Sequence, residues 1–92
     1  MEDRKKELAA RMAELFDLPA ELAAGRCHIE LLGDGGFFME GHEGILAYGT
    51  EEIDLGAGRL TVRVTGSGLT LRAMTQREVH ISGKIDAVNF LR

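Results

Sequence analysis

The residues of this chain able to ligate a metal or attack a substrate are few and scattered. Cys27, His28, His42 and His80 are the soft ligands. Cys27 and His28 are adjacent, and neighbouring side chains on a strand point to opposite faces, so they make a poor chelating pair. No CxxC or HExxH spacing occurs. The histidines read as surface or turn residues and Cys27 as a buried thiol, with no metal site expected. Gly33-Asp34-Gly35-Gly36 invites comparison with a phosphate-binding loop. It lacks the following Lys-Ser/Thr and a helix start, so it reads as a hairpin turn. Glu51, Glu52 and Asp54 form a local acidic cluster, read as solvated residues at a strand edge rather than as a cation site. Ser67 and Ser82 are the two serines, and neither sits in a nucleophile-elbow pattern. The sequence therefore predicts no catalytic residue, no cofactor and no enzyme.

Positive charge is the remaining chemical resource. Arg59, Arg63, Arg72, Arg77 and Lys84 fall in the later strands and turns, which makes Arg63, Arg72 and Lys84 candidate anion-facing residues. The plainer reading is a solvated sheet face whose charges discourage edge-to-edge aggregation. The net charge of −4 argues against nucleic acid as a partner, since phosphate binding needs a basic excess or a basic face. A single cysteine permits no internal disulfide, which suits a reducing compartment. The charged opening, Met1 to Lys6, leads into no apolar core of a secretory signal, and no apolar run approaches the ~20 residues of a membrane span. A cytoplasmic location is expected.

The elements that position these residues are β-rich. A chain of 92 residues holds one domain, 1–92, with one core, and is small enough to gain from pairing with a second copy or a partner. Leu8, Met12, Leu15 and Phe16 recur at i, i+4, i+7 and i+8, which predicts an amphipathic helix over 3–16 that stops before Pro19. Its stripe is expected to pack on the protein's own sheet; the alternative, a membrane surface with Lys5 and Arg11 at the head groups, is interrupted by Glu7 and Glu14. From His28 the texture changes to short apolar-polar runs separated by glycines, a β-meander over 28–91. About seven short strands are expected, closing into a small roll or sandwich, so the fold class is mainly β with an N-terminal α-helix. A short β-solenoid is the alternative, from the roughly ten-residue spacing of Val62, Leu71 and Ile81.

Parity refines two places. Leu60, Val62 and Val64 share one face, while Leu69, Leu71 and Ala73 occupy odd positions. A two-residue turn at Gly66-Ser67 would bring the two sets together, with Val64 opposite Leu69 and Val62 opposite Leu71. That register sets Arg63 against Thr70, whereas shifting the turn by one residue opposes Arg63 and Arg72. In the tail, Ile81, Gly83 and Ile85 share a parity that Val88 and Phe90 do not, which predicts a bulge near Asp86-Ala87. The early strands are apolar on both faces, above all Phe37-Phe38-Met39 and Ile45-Leu46-Ala47-Tyr48. A strand with two apolar faces is covered on both sides, so Phe37, Phe38, Met39, Ile45, Leu46 and Tyr48 are the candidate interaction surface.

The ordered segments Leu15-Phe16-Asp17-Leu18-Pro19, Ile29-Glu30-Leu31-Leu32-Gly33, Glu40-Gly41-His42-Glu43-Gly44-Ile45-Leu46, Leu60-Thr61-Val62, Gly66-Ser67-Gly68-Leu69 and Val79-His80-Ile81-Ser82-Gly83-Lys84-Ile85, with Phe90 beyond, carry a likeness. Together they resemble the YqfC/YabP family of sporulation proteins of endospore-forming Firmicutes. The helix and Leu-Pro step bring the chain nearer the YqfC type. The resemblance covers nearly the whole chain and implies a role in endospore formation, in the mother-cell cytoplasm or at the forespore surface. It supplies no catalytic motif; the shared residues are glycines and apolar positions that build a fold. The expected function is a non-enzymatic structural or assembly module, with an anion- or membrane-surface-binding adaptor as the alternative. The expected partners are a second copy of the chain or a membrane-associated sporulation protein.

Overall fold

The computed structural model describes residues 26–92. Six strands follow one another: β1 (His28–Leu32), β2 (Gly36–Glu40), β3 (Ile45–Tyr48), β4 (Glu52–Ala57), β5 (Leu60–Met74) and β6 (Glu78–Leu91). All neighbours are antiparallel, in one sheet of order β1-β2-β6-β5-β4-β3. This corrects the expected class. The described chain is all-β, with six strands in one sheet and no helix among the described residues. The helix expected over 3–16 lies outside them.

The count drops because the residues read as two strands around Gly66-Ser67 form one strand of 15 residues. Val64 pairs with Ile53 on one side and Val88 on the other, and Leu71 pairs with Ile81. The expected hairpin of Val64 with Leu69 therefore does not form. The parity signal was real but has a second solution. A bulge, like a two-residue turn, moves an apolar set from even to odd positions, and here it does so within a continuous strand. Gly68 and Leu69 together oppose Gly83, because Ser67 pairs with Lys84 and Thr70 with Ser82. The antiparallel Leu71–Ile81 pairing excludes the solenoid. The turn that does reverse the chain is Thr75-Gln76-Arg77, with no glycine. The Thr75 hydroxyl closes it by accepting from the Arg77 N–H (3.2 Å) and the Glu78 N–H (3.0 Å). The bulge expected near Asp86-Ala87 is present: Thr65 pairs with Ala87 and Gly66 with Ile85, leaving Asp86 unpaired.

The two long strands must bend. A straight 15-residue strand would run about 50 Å, against a longest molecular dimension of 37 Å. Bulges at Asp86, at Gly68-Leu69 and at Arg72 supply the bend. At its centre the strands approach so closely that a Cβ on Gly66 would collide with the Lys84 carbonyl oxygen. A Cβ on Gly83 would lie 2.6 Å from the Gly68 carbonyl oxygen, at a φ of +133° that L side chains rarely adopt. One half of the folded sheet holds β1, β2 and the near ends of the β5–β6 hairpin; the other holds β3, β4 and the far ends. Phe37, Met39, Val79 and Ile81 from the first half join Ile53, Leu55, Val62 and Val64 from the second, with Leu69 at the bend, in one buried cluster.

Candidate interaction surface

One polar device ties the two halves together, and a second fastens β4 to β5 within one of them. The segment between β2 and β3 crosses from one half to the other and is hydrogen-bonded at both ends. Gly41 N–H donates to the Arg77 carbonyl (2.6 Å), Glu43 N–H to the Gly56 carbonyl (2.8 Å), and Gly56 N–H to the Gly44 carbonyl (2.9 Å). His42 lies buried at its centre. Its Nδ1 accepts from the Gly44 N–H (2.9 Å), so Nε2 carries the ring proton and donates to the Thr75 carbonyl (2.8 Å). His42 is thus a turn residue, as its glycine neighbours suggested, but an internal one. It ties the crossover to the β5–β6 turn and leaves no ring nitrogen free for a ligand.

The second device is the Asp54–Arg63 pair, directly opposed on β4 and β5. Arg63 donates from Nε to Asp54 Oδ1 and from Nη2 to Asp54 Oδ2, each at 3.0 Å, and its Nε lies 3.3 Å from Glu52 Oε2. This bidentate bond pushes the guanidinium above its ordinary pKa, reinforced by the charges of Asp54 and Glu52. Asp54 is buried, which makes the Arg63 charge a structural counter-ion. The signal was in the sequence: counting outward from a two-residue turn at Gly58-Arg59 opposes Asp54 and Arg63. Of the other two candidate anion-facing residues, Arg72 stands at a bulge and Lys84 beside the bend, both exposed. The three form no single basic constellation.

The apolar candidates divide more sharply. Phe37 and Met39 belong to the core, at 2% and 0% exposure. Phe38 projects from the other face of β2 and meets His80 edge-to-face, ring centroids 4.6 Å apart. Ile45 packs against the core from the start of β3. Leu46 and Tyr48 are 61% and 58% exposed. A register shift between Ile45 and Ala47 displaces Leu46 from the ladder, and the Tyr48 hydroxyl accepts from the Leu71 N–H (3.4 Å). Phe38 is thus half-buried on the outer face of β2, while Leu46 and Tyr48 of the marginal strand β3 are exposed.

The thiol and remaining histidines stay apart. Cys27 is half-buried, and burial raises its pKa, partly offset by a backbone hydrogen bond. His28 pairs with Glu30 through Nε2 and Oε1 at 3.0 Å on the outer face of β1. Among the described residues no group of three or more His, Cys, Asp or Glu side chains clusters as a metal site. No helix among them is long and apolar enough to cross a membrane.

These features define a small all-β fold fastened by polar residues, with large apolar side chains exposed on both marginal strands, Leu31 and Leu32 on β1 and Leu46 and Tyr48 on β3, and at Met74, Phe90 and Leu91. The YabP family model matches residues 23–92, a range that includes every described residue, and the chain belongs to that family. Over 91 residues it is 22% identical to the protein YqfC of Bacillus subtilis (strain 168), covering 99% of this chain and 98% of that protein.

Proposed function

We propose that the chain is a non-enzymatic sporulation protein of YqfC/YabP type that acts as an assembly module in endospore formation, in the mother cell or at the forespore surface. Family membership supports the process. The observation that carries the mode of action is the edge strand β3, where Leu46 and Tyr48 are more than half exposed, as Leu31 and Leu32 are on the opposite edge strand β1. Histidine and arginine, the residues with most chemical reach, support this reading from the other side: His42 and Arg63 are engaged in holding backbone and a buried carboxylate. Deletion in an endospore-forming host should lower the yield of heat-resistant spores while leaving vegetative growth unchanged. An unaltered spore yield would remove the reading.

A further inference from the structure

The sheet has three stretches of backbone at its margins, and two of them are guarded. Along β1 Glu30, hydrogen-bonded to His28, places a charge at mid-strand, a common safeguard of edge strands, although Leu31 and Leu32 beyond it are exposed. Beyond the bend, the half of β5 nearer the β5–β6 turn has no β4 partner. There the β3–β4 turn takes up its donors: Leu69 N–H donates to the Thr50 carbonyl (2.8 Å), Gly66 N–H to the Glu51 carbonyl (3.0 Å) and Leu71 N–H to the Tyr48 hydroxyl. The third margin is β3. Ile45-Leu46-Ala47-Tyr48 contains no charge and no proline, and among the described residues it pairs on one side only, with β4. Its bulge at Leu46 keeps any added ladder short. Acidic residues flank it at both ends, Glu43 before and Glu51 after, both exposed and neither in an ion pair among the described residues.

That charge pattern selects the occupant. Antiparallel pairing of β3 with β3 of a second copy, centred on Ala47, would set Glu43 of each copy opposite Glu51 of the other. Like charges so placed disfavour the pairing. We propose that β3 takes up an extended segment of another protein as a seventh strand. The segment is apolar where it faces Leu46 and Tyr48, and it carries lysine or arginine at both ends to meet Glu43 and Glu51. This names the kind of partner for the assembly role proposed above and rests on it.

The test uses the full chain, isotopically labelled, titrated with a synthetic peptide of alternating valine and threonine flanked by two lysines at each end, and with the same peptide flanked by glutamates. The lysine peptide should shift the amide signals of 45–48, and the glutamate peptide should bind about tenfold more weakly, as two surface charge contacts change sign. The double variant Glu43→Lys, Glu51→Lys should invert that preference, and Leu46→Lys should abolish binding; Ala47→Lys serves where Leu46→Lys fails to fold. Absence of shifts at 45–48 in the wild-type chain, or equal binding of both peptides, overturns the proposal. So does a dimer, seen by light scattering, that Leu46→Lys dissociates, because a second copy would then occupy the edge. Spore yield on deletion is measured separately: a normal yield with intact peptide binding rejects the sporulation reading and leaves the edge site standing. A reduced yield without peptide binding does the reverse.

Discussion

At the bend, Gly66 and Gly83 lie against the opposing backbone so closely that neither position has room for a methyl group. Along β3, Leu46 and Tyr48 stand more than half exposed, with open backbone on one side. Both regions are short and overlap motifs that bear the family likeness. They differ in what the surrounding chain does for them. The bend is fixed by three bulges and by the Thr50, Glu51, Asp34 and Gly35 carbonyls, which accept from Leu69, Gly66, Ile85 and Gly83. Among the described residues the edge has one neighbouring strand. A family resemblance resting on glycines and apolar residues therefore mixes two kinds of position, those that shape the sheet and those that the shaped sheet leaves open.

Substitutions can sharpen this contrast. The largest effect belongs to the bend. Gly66→Val should cost more than about 4 kcal/mol, most of the margin of a domain this size, and leave no cooperative unfolding transition in urea. Next comes the corner. His42→Ala strands the Thr75 carbonyl and Gly44 N–H in a buried setting, so stability should fall by about 2–3 kcal/mol in the same titration. Arg63→Gln should lower the melting temperature by leaving Asp54 without its counter-ion, and the loss should shrink when the melts are repeated at high salt. Cys27, whose pKa burial raises, should react with a thiol reagent at pH 8 more slowly than free cysteine, and the difference should vanish in denaturant. The edge should be the quiet end of the series: Leu46→Lys should change stability by no more than about 0.5 kcal/mol. A loss there as large as that of His42→Ala would erase the contrast, showing β3 to be part of the scaffold.

Much of this architecture was legible in the residues, and the failures have physical causes. Alternation located strand positions throughout 28–91, and the parity change between Ile85 and Val88 located the Asp86 bulge. The same signal at Gly66-Ser67 misled, because a turn and a bulge change parity alike and only the long-range pairing with β6 distinguishes them. The true reversal, Thr75-Gln76-Arg77, uses a threonine hydroxyl where glycine was the cue. Apolar content in Phe37-Phe38-Met39 and Ile45-Leu46-Ala47-Tyr48 looked alike in sequence. The strand order separates them, placing β2 between two neighbours and β3 at the margin. Burial of His42 was not legible, since it depends on a crossover that joins the two halves.

The central claim is that β3 works through what it leaves exposed and contributes little to the fold. Complementation tests it most directly: a deletion strain of an endospore-forming host is supplied with the wild-type chain or with Leu46→Lys, and heat-resistant spores are counted alongside the amount of protein present. The account predicts that Leu46→Lys accumulates to the wild-type level and yet restores few spores. Full restoration by Leu46→Lys would contradict it.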